Sequence, residues 1–132
     1  MKDFVNVGLL GAGTVGGGVL KVLEKNAEKI AKEVGKPVRI TKVLDRHVDR
    51  LKQEYVVKYI FTDNADEVLE DKDIDIIVEL LGREHPAKEF IARAFANGKH
   101  VVTANKDVLA KFGAELFPLA HEHNCDFMFE AS

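Results

Sequence analysis

Apolar positions along the chain switch repeatedly between two spacings. Phe4–Leu10 and Ile74–Leu81 are nearly continuous apolar runs, the pattern of strands buried on both faces. After the first run, Val15, Val19, Leu23, Ala27, Ile30 and Val34 recur three or four apart and predict a helix starting near Thr14. Gly35 and Pro37 supply its stop. Val38–Asp45 and Val56–Thr62 predict a second and a third strand, with room for a short helix between them. Asp63 or Asn64 is placed to cap a helix reaching about Glu70. Pro86 opens the next helix, which turns Phe90, Ile91, Ala94 and Phe95 inward, and Gly98 closes it. Val101–Ala104 predicts a fifth strand, followed by helical sequence expected to break near Gly113 and Pro118, and Phe127–Glu130 begins a sixth. Strands separated by helices of this length imply a parallel sheet with right-handed crossovers. The expected class is a doubly wound α/β domain of about six strands.

Composition narrows the setting. The chain has 132 residues, enough for one domain over 1–132 with a core of its own. The apolar share of 46% is that of a soluble protein, and no apolar run approaches the ~18 residues of a membrane span. The start, Met-Lys-Asp-Phe, carries no signal-peptide pattern. A lone cysteine, Cys125, excludes an internal disulfide framework and fits a reducing, cytoplasmic compartment. The expected role of Cys125 is that of a small buried hydrophobe. A net charge of −3 with both signs interspersed argues against nucleic acid as a partner, as the absence of a span argues against a membrane. His121 and His123 lie two apart on helical sequence and so point to different faces, which disfavours a metal pair.

The chemistry gathers at strand ends, where parallel sheets bind their ligands. Gly11, Gly13 and Gly16 form G-x-G-x-x-G between a predicted strand and a predicted helix, the context that gives this motif its meaning. The glycines allow a tight turn, close approach to a pyrophosphate and helix-on-strand packing. The helix start favours the phosphate charge, so Gly11, Gly13, Thr14, Val15 and Gly16 are candidate contacts in a Rossmann dinucleotide-binding fold. The bland alternative is a glycine-rich turn without a ligand. The second strand ends in Asp45-Arg46: an acid there selects the ribose hydroxyl of NAD, an arginine the 2′-phosphate of NADP, and both residues are present. Glu79 interrupts an apolar strand, and a buried acid needs partners, whether structural or functional. The fifth strand runs out through Thr103-Ala104-Asn105-Lys106. Lys106 is placed to be a proton donor, an anion anchor or a surface charge at a helix start, where a cation opposes the dipole.

With the glycine turn and this segment together, the chain resembles homoserine dehydrogenase. The resemblance rests on Gly8–Gly16, on Val78-Glu79-Leu80-Leu81-Gly82 with Pro86-Ala87, on Gly98–Lys106 and on Phe129-Glu130-Ala131-Ser132, in the family's order. Gly82-Arg83 departs from the glycine pair usual after the fourth strand, which bears on the nicotinamide wall. The resemblance implies NAD or NADP as cofactor and the interconversion of L-aspartate 4-semialdehyde and L-homoserine, on the route to threonine, methionine and isoleucine. It implies that Leu81, Gly82, Thr103, Asn105 and Lys106 line the nicotinamide side. Lys106 would take part in proton transfer with a second lysine from a substrate domain. Glu130 matches a glutamate near a monovalent-cation site whose other ligands lie beyond this chain.

Family members continue past the Glu-Ala-Ser segment into a substrate-binding, dimer-forming domain. The expectation is therefore an excised or truncated cofactor domain that binds dinucleotide without turnover, from a parent that is a homodimer. The rival readings are the cofactor domain of another amino-acid or sugar dehydrogenase, and a free-standing NAD(P)-sensing module.

Overall fold

The computed structural model describes residues 4–11, 32, 35–45 and 60–129. The helix predicted from Thr14, the short helix after the second strand, and the candidate residues Gly13, Thr14, Val15, Gly16, Arg46 and Glu130 lie outside the described residues.

Six parallel strands form one sheet: β1 Val5–Leu10, β2 Val38–Leu44, β3 Ile60–Thr62, β4 Ile76–Glu79, β5 His100–Thr103 and β6 Phe127–Phe129. Their order is β3-β2-β1-β4-β5-β6. The chain thus winds outward in one direction from β1 to β3, then restarts beside β1 and winds outward the other way. That reversal places a crevice between the carboxyl ends of β1 and β4. Among the described residues the predicted strands and helices are present. β1, β2 and β4 stop or start one or two residues inside the predicted runs, as expected where pairing fades, and β5 begins one residue earlier, at His100.

One line of register crosses the whole sheet. Thr62 pairs with Leu44, Leu44 with Leu10, Leu10 with Glu79, Glu79 with Thr103, and Thr103 with Phe129. A bulge at Thr41 makes this possible: Val7 faces Ile40 but Gly8 faces Lys42, so Leu44 is brought level with Leu10. Every strand therefore releases its following turn at the same height.

Between the strands lie α1 Asp66–Leu69, α2 Ala87–Ala96 and α3 Lys106–Glu122. They cover one sheet face. Leu10, Leu44, Ile77, Val101 and Phe127 of the strands pack there with Val68, Leu69, Ile91, Ala94, Phe95, Val108, Leu116 and Ala120 of the helices. Ile91, Ala94 and Phe95 are fully buried, and Phe90 is packed against the same core, as their spacing predicts. The opposite face carries Val5, Val7, Leu9, Val43, Ile76, Val78 and Val102. Gly8 is required by close approach: a Cβ there would stand 2.6 Å from Val68 Cγ1.

Two local expectations are corrected. The position before α1 is Ala65, with no side-chain cap, so neither Asp63 nor Asn64 caps it; the Asn64 Oδ1 instead closes a local turn by accepting the Asp66 amide at 3.0 Å. The sequence after β5 does not break near Gly113 and Pro118, because α3 runs through both for 17 residues. Interior proline costs about 3 kcal/mol and glycine about 1. Here Pro118 and Ala114, whose carbonyl loses its partner, are both exposed, so water reaches that carbonyl. The buried stripe Val108, Leu116 and Ala120 holds the helix to the core on the other side. Cys125 is buried against the core as expected, and burial followed by the neighbouring Asp126 charge pushes its thiol up.

At the amino ends of β4 and β5, Lys99 is 3% exposed and donates from Nζ to the carbonyls of Asp71 at 2.5 Å and Ile74 at 2.8 Å. Its stem is buried and its ammonium binds the loop that leads into β4.

Candidate functional site

The carboxyl ends of β1, β2, β4 and β5 bring together the described members of the predicted site. Gly11 follows β1 with φ +91°, a conformation that glycine adopts without strain. Its amide donates to the Leu44 carbonyl at 2.8 Å, closing the turn against β2. An added Cβ would also lie 3.0 Å from Leu81 Cδ2 and 3.4 Å from the Leu80 carbonyl, so the turns after β1 and β4 touch through this glycine. Asp45 leaves β2 beside it, 9% exposed, with its amide bonded to the Thr62 carbonyl at 2.9 Å.

On the other side of the crevice, Glu79 is fully buried at the last position of β4. Its Oε2 accepts the Leu81 amide at 2.7 Å, and its Oε1 accepts the Thr103 hydroxyl at 2.5 Å. Burial pushes its carboxyl above the usual glutamate range. The Thr103 hydroxyl, the amides of Leu81 and Gly82 and the Asn105 side chain pull the other way without reversing the shift. The structural reading of Glu79 as an acid satisfied by backbone amides and a neighbouring hydroxyl is thereby realised.

Thr103 is fully buried as well, and its oxygen accepts the Asn105 amide at 3.1 Å. Asn105 caps α3, with Oδ1 accepting the Val108 amide at 3.1 Å, while its Nδ2 donates to the Arg83 carbonyl at 2.7 Å. The bonds close into a ring through Glu79, Leu81, Arg83, Asn105 and Thr103 that joins the turn after β4 to the start of α3. The side chains of Thr103 and Asn105, expected against a ribose and an amide, have these partners inside the protein.

Lys106 opens α3, and its side chain is exposed. Leu81 is half-buried, whereas Gly82, at φ +74°, and Arg83 are exposed. An added Cβ at Gly82 would meet nothing within 4 Å, so this turn borders open space. The site therefore consists of a rigid, satisfied floor with a bare glycine turn and a lysine at its rim. A dinucleotide fits this arrangement: close backbone approach at Gly11 and Gly82, an acid at the end of β2, and a cation at the end of β5.

The described candidate residues lie at the strand ends where sequence reasoning expected them, and the ring that joins them was missed. The capping signal of Asn105 was readable, as an asparagine directly before a helix. Its bond to Arg83 spans 22 positions and the Thr103–Glu79 bond 24, distances at which local patterns say nothing.

Comparison with known proteins agrees with this geometry. A family described as "Homoserine dehydrogenase, NAD binding domain" matches residues 11–130. The homoserine dehydrogenase of Bacillus subtilis is 41% identical over 128 residues, covering 97% of this chain and 30% of that protein. The Neisseria gonorrhoeae homoserine dehydrogenase is 44% identical over 128 residues, covering 97% and 29%. Among solved structures, a homoserine dehydrogenase from Thiobacillus denitrificans superposes with a TM-score of 0.82 at 44% identity, over 96% of this chain and 29% of that one. The chain spans about 30% of the length of the curated relatives it matches. Among the described residues, no helix is long and apolar enough to cross a membrane. Matched across nearly its whole length, the chain belongs to the homoserine dehydrogenase NAD-binding domain family.

Proposed function

We propose that this chain is the dinucleotide-binding part of an NAD(P)-dependent homoserine dehydrogenase, acting in the cytoplasm on the route to threonine, methionine and isoleucine. The observation that carries the reading is the single register line. It delivers Gly11, Asp45, Leu81–Gly82 and Thr103–Lys106 to one edge of the sheet, around the point where strand order reverses.

In this reading the turn from Gly11 through Gly13, Thr14, Val15 and Gly16 cradles the pyrophosphate. Asp45 binds the adenosine ribose, and Arg46 receives a 2′-phosphate when NADP is used. The bound dinucleotide supplies hydride exchange with the carbonyl carbon of L-aspartate 4-semialdehyde. Leu81 and Gly82 border the nicotinamide. Thr103 and Asn105 shape its pocket chiefly through the turn they hold, since their side chains are engaged by Glu79, Val108 and Arg83. Lys106, on the rim, moves the proton that accompanies the hydride, together with a group from the substrate-binding part of a longer, homodimeric protein. Glu130 contributes to a monovalent-cation site completed by that part.

Calorimetric titration of the chain with NADH and NADPH tests the reading. Binding of either, with no oxidation of homoserine by these residues alone, is expected. Asp45→Ala weakens NADH more than NADPH. Failure of both dinucleotides to bind a folded chain at millimolar concentration refutes it.

A further inference from the structure

We propose that Glu79 is a positioning residue of the dinucleotide site, locking the turn after β4 to the start of α3 so that the nicotinamide half of the ligand meets one preformed surface. The inference deepens the dinucleotide-binding reading above and rests on it.

Glu79 touches neither crevice nor solvent, and none of the roles assigned to the site uses it. Its surroundings consist of donors: the Leu81 amide at 2.7 Å, the Thr103 hydroxyl at 2.5 Å, and the Asn105 side chain and Gly82 amide beyond them. An ionised carboxylate is acceptor-only, with about four lone-pair sites, and suits such a shell. Glutamine does not, because its NH2 would be aimed at a donor. Thr103 offers no escape, since its oxygen already accepts the Asn105 amide, and turning its own hydrogen away from residue 79 would strand it. The one bond of the ring whose direction is free, that of the Thr103 hydroxyl, is thus set by the acceptor oxygen of residue 79.

Two segments depend on that ring. Leu81–Arg83 is held through the Leu81 amide at one end and the Arg83 carbonyl at the other. The α3 start is held through both the amide and the side chain of Asn105, directly before Lys106. Both segments lie on the β4–β5 side of the crevice. The adenosine side, at Asp45, is bonded to β3 instead, and Gly11, although it packs on Leu81, gives its amide hydrogen bond to β2. Loss of the ring therefore disturbs one half of the ligand and spares the other.

The test uses two probes on the chain, NADH and ADP-ribose, which lacks the nicotinamide. With Glu79→Gln, NADH affinity falls about tenfold or more, equivalent to about 1.4 kcal/mol, while ADP-ribose affinity stays within about threefold. Thr103→Val, which removes the same bond from the other partner, gives the same split, and Thr103→Ser, which keeps the hydroxyl, restores NADH binding. A merely structural acid moves both probes together or neither. Equal losses for the two probes, or unchanged NADH binding in folded Glu79→Gln or Thr103→Val, overturn the proposal. Should Glu79→Gln not fold, the Val/Ser pair at Thr103 decides alone. Wild-type chain that binds neither probe refutes the dinucleotide reading itself, an outcome distinct from loss of the split.

Discussion

Replacing Lys99 by methionine should weaken the fold while leaving the crevice untouched. Methionine keeps the length and apolar body of the stem and removes only the ammonium, so packing changes little. Two carbonyls, those of Asp71 and Ile74, then lose a charged donor. Hydrogen bonds to charged groups contribute roughly 1.5–3 kcal/mol each, and a stranded buried acceptor costs about 1–3 kcal/mol. Against this stands relief from holding an ammonium out of water, a penalty of several kcal/mol per buried ion. The balance is a loss of about 2–4 kcal/mol, a large share of the ~5–15 kcal/mol of an ordinary domain. Urea unfolding followed by far-ultraviolet circular dichroism at pH 7 measures it.

The same substitution has a signature in acid. Burial acts to raise the Asp71 pKa, but the hydrogen bond and charge of Lys42, the Asp73 amide and the charge of Lys99 outweigh it, and the carboxyl is held below its ordinary value. A lowered carboxylate contributes stability above its unfolded pKa and loses it as pH falls through the folded one. Without Lys99 that lowering shrinks, so the variant loses less stability than wild type as pH falls through the folded-state pKa of Asp71. A stability change under about 1 kcal/mol, or an acid limb parallel to wild type, refutes this account of Lys99. Dinucleotide affinity reduced more than about threefold in the folded variant refutes its separation from the crevice.

Other substitutions probe the sheet and its turns. Gly8→Ala places a methyl 2.6 Å from Val68 Cγ1 and should cost about 1–3 kcal/mol in urea unfolding. Adding Val68→Ala should recover part of that loss, and strict additivity of the two changes would count against the clash. Gly11→Ala combines φ +91° with crowding by Leu80 and Leu81, so a loss of about 1–3 kcal/mol together with weaker dinucleotide binding is expected from thermal unfolding and calorimetry. An unchanged melting temperature would refute the need for glycine there. Asn105→Ala removes the α3 cap, worth about 0.5–2 kcal/mol, and also frees the Arg83 carbonyl. Amide exchange at Val108 should accelerate, and protection equal to wild type would contradict the cap.

The order of elements was legible because each β–α unit carries its own punctuation. Gly35, Pro86 and Gly98 stand where the chain turns, and the stripe through Ile91, Ala94 and Phe95 faces the core as its spacing demands. At Gly113 and Pro118, local propensity pointed to a break that tertiary packing overrode, because the buried stripe of α3 spans both residues. Lys99 reads in sequence as an ordinary polar residue between Gly98 and His100. Its burial depends on carbonyls 25 and 28 positions away. Glu79 was visible as an anomaly in an apolar strand, but its donors come from β5 and from a turn that closes back on it, and no spacing rule carries that information.

The common height of the strand ends also makes the sheet a ruler. Asp45 and Lys106 follow β2 and β5, which are separated by β1 and β4. Three interstrand steps of about 4.8 Å place the two ends roughly 14 Å apart across a stiff hydrogen-bonded lattice. Substitutions at sites farther apart than about 7–10 Å with no shared partners usually combine additively. Cofactor choice at the β2 end and proton handling at the β5 end are thus separable quantities: exchanging NAD for NADP preference at Asp45 and Arg46 should rescale every Lys106 variant by the same factor.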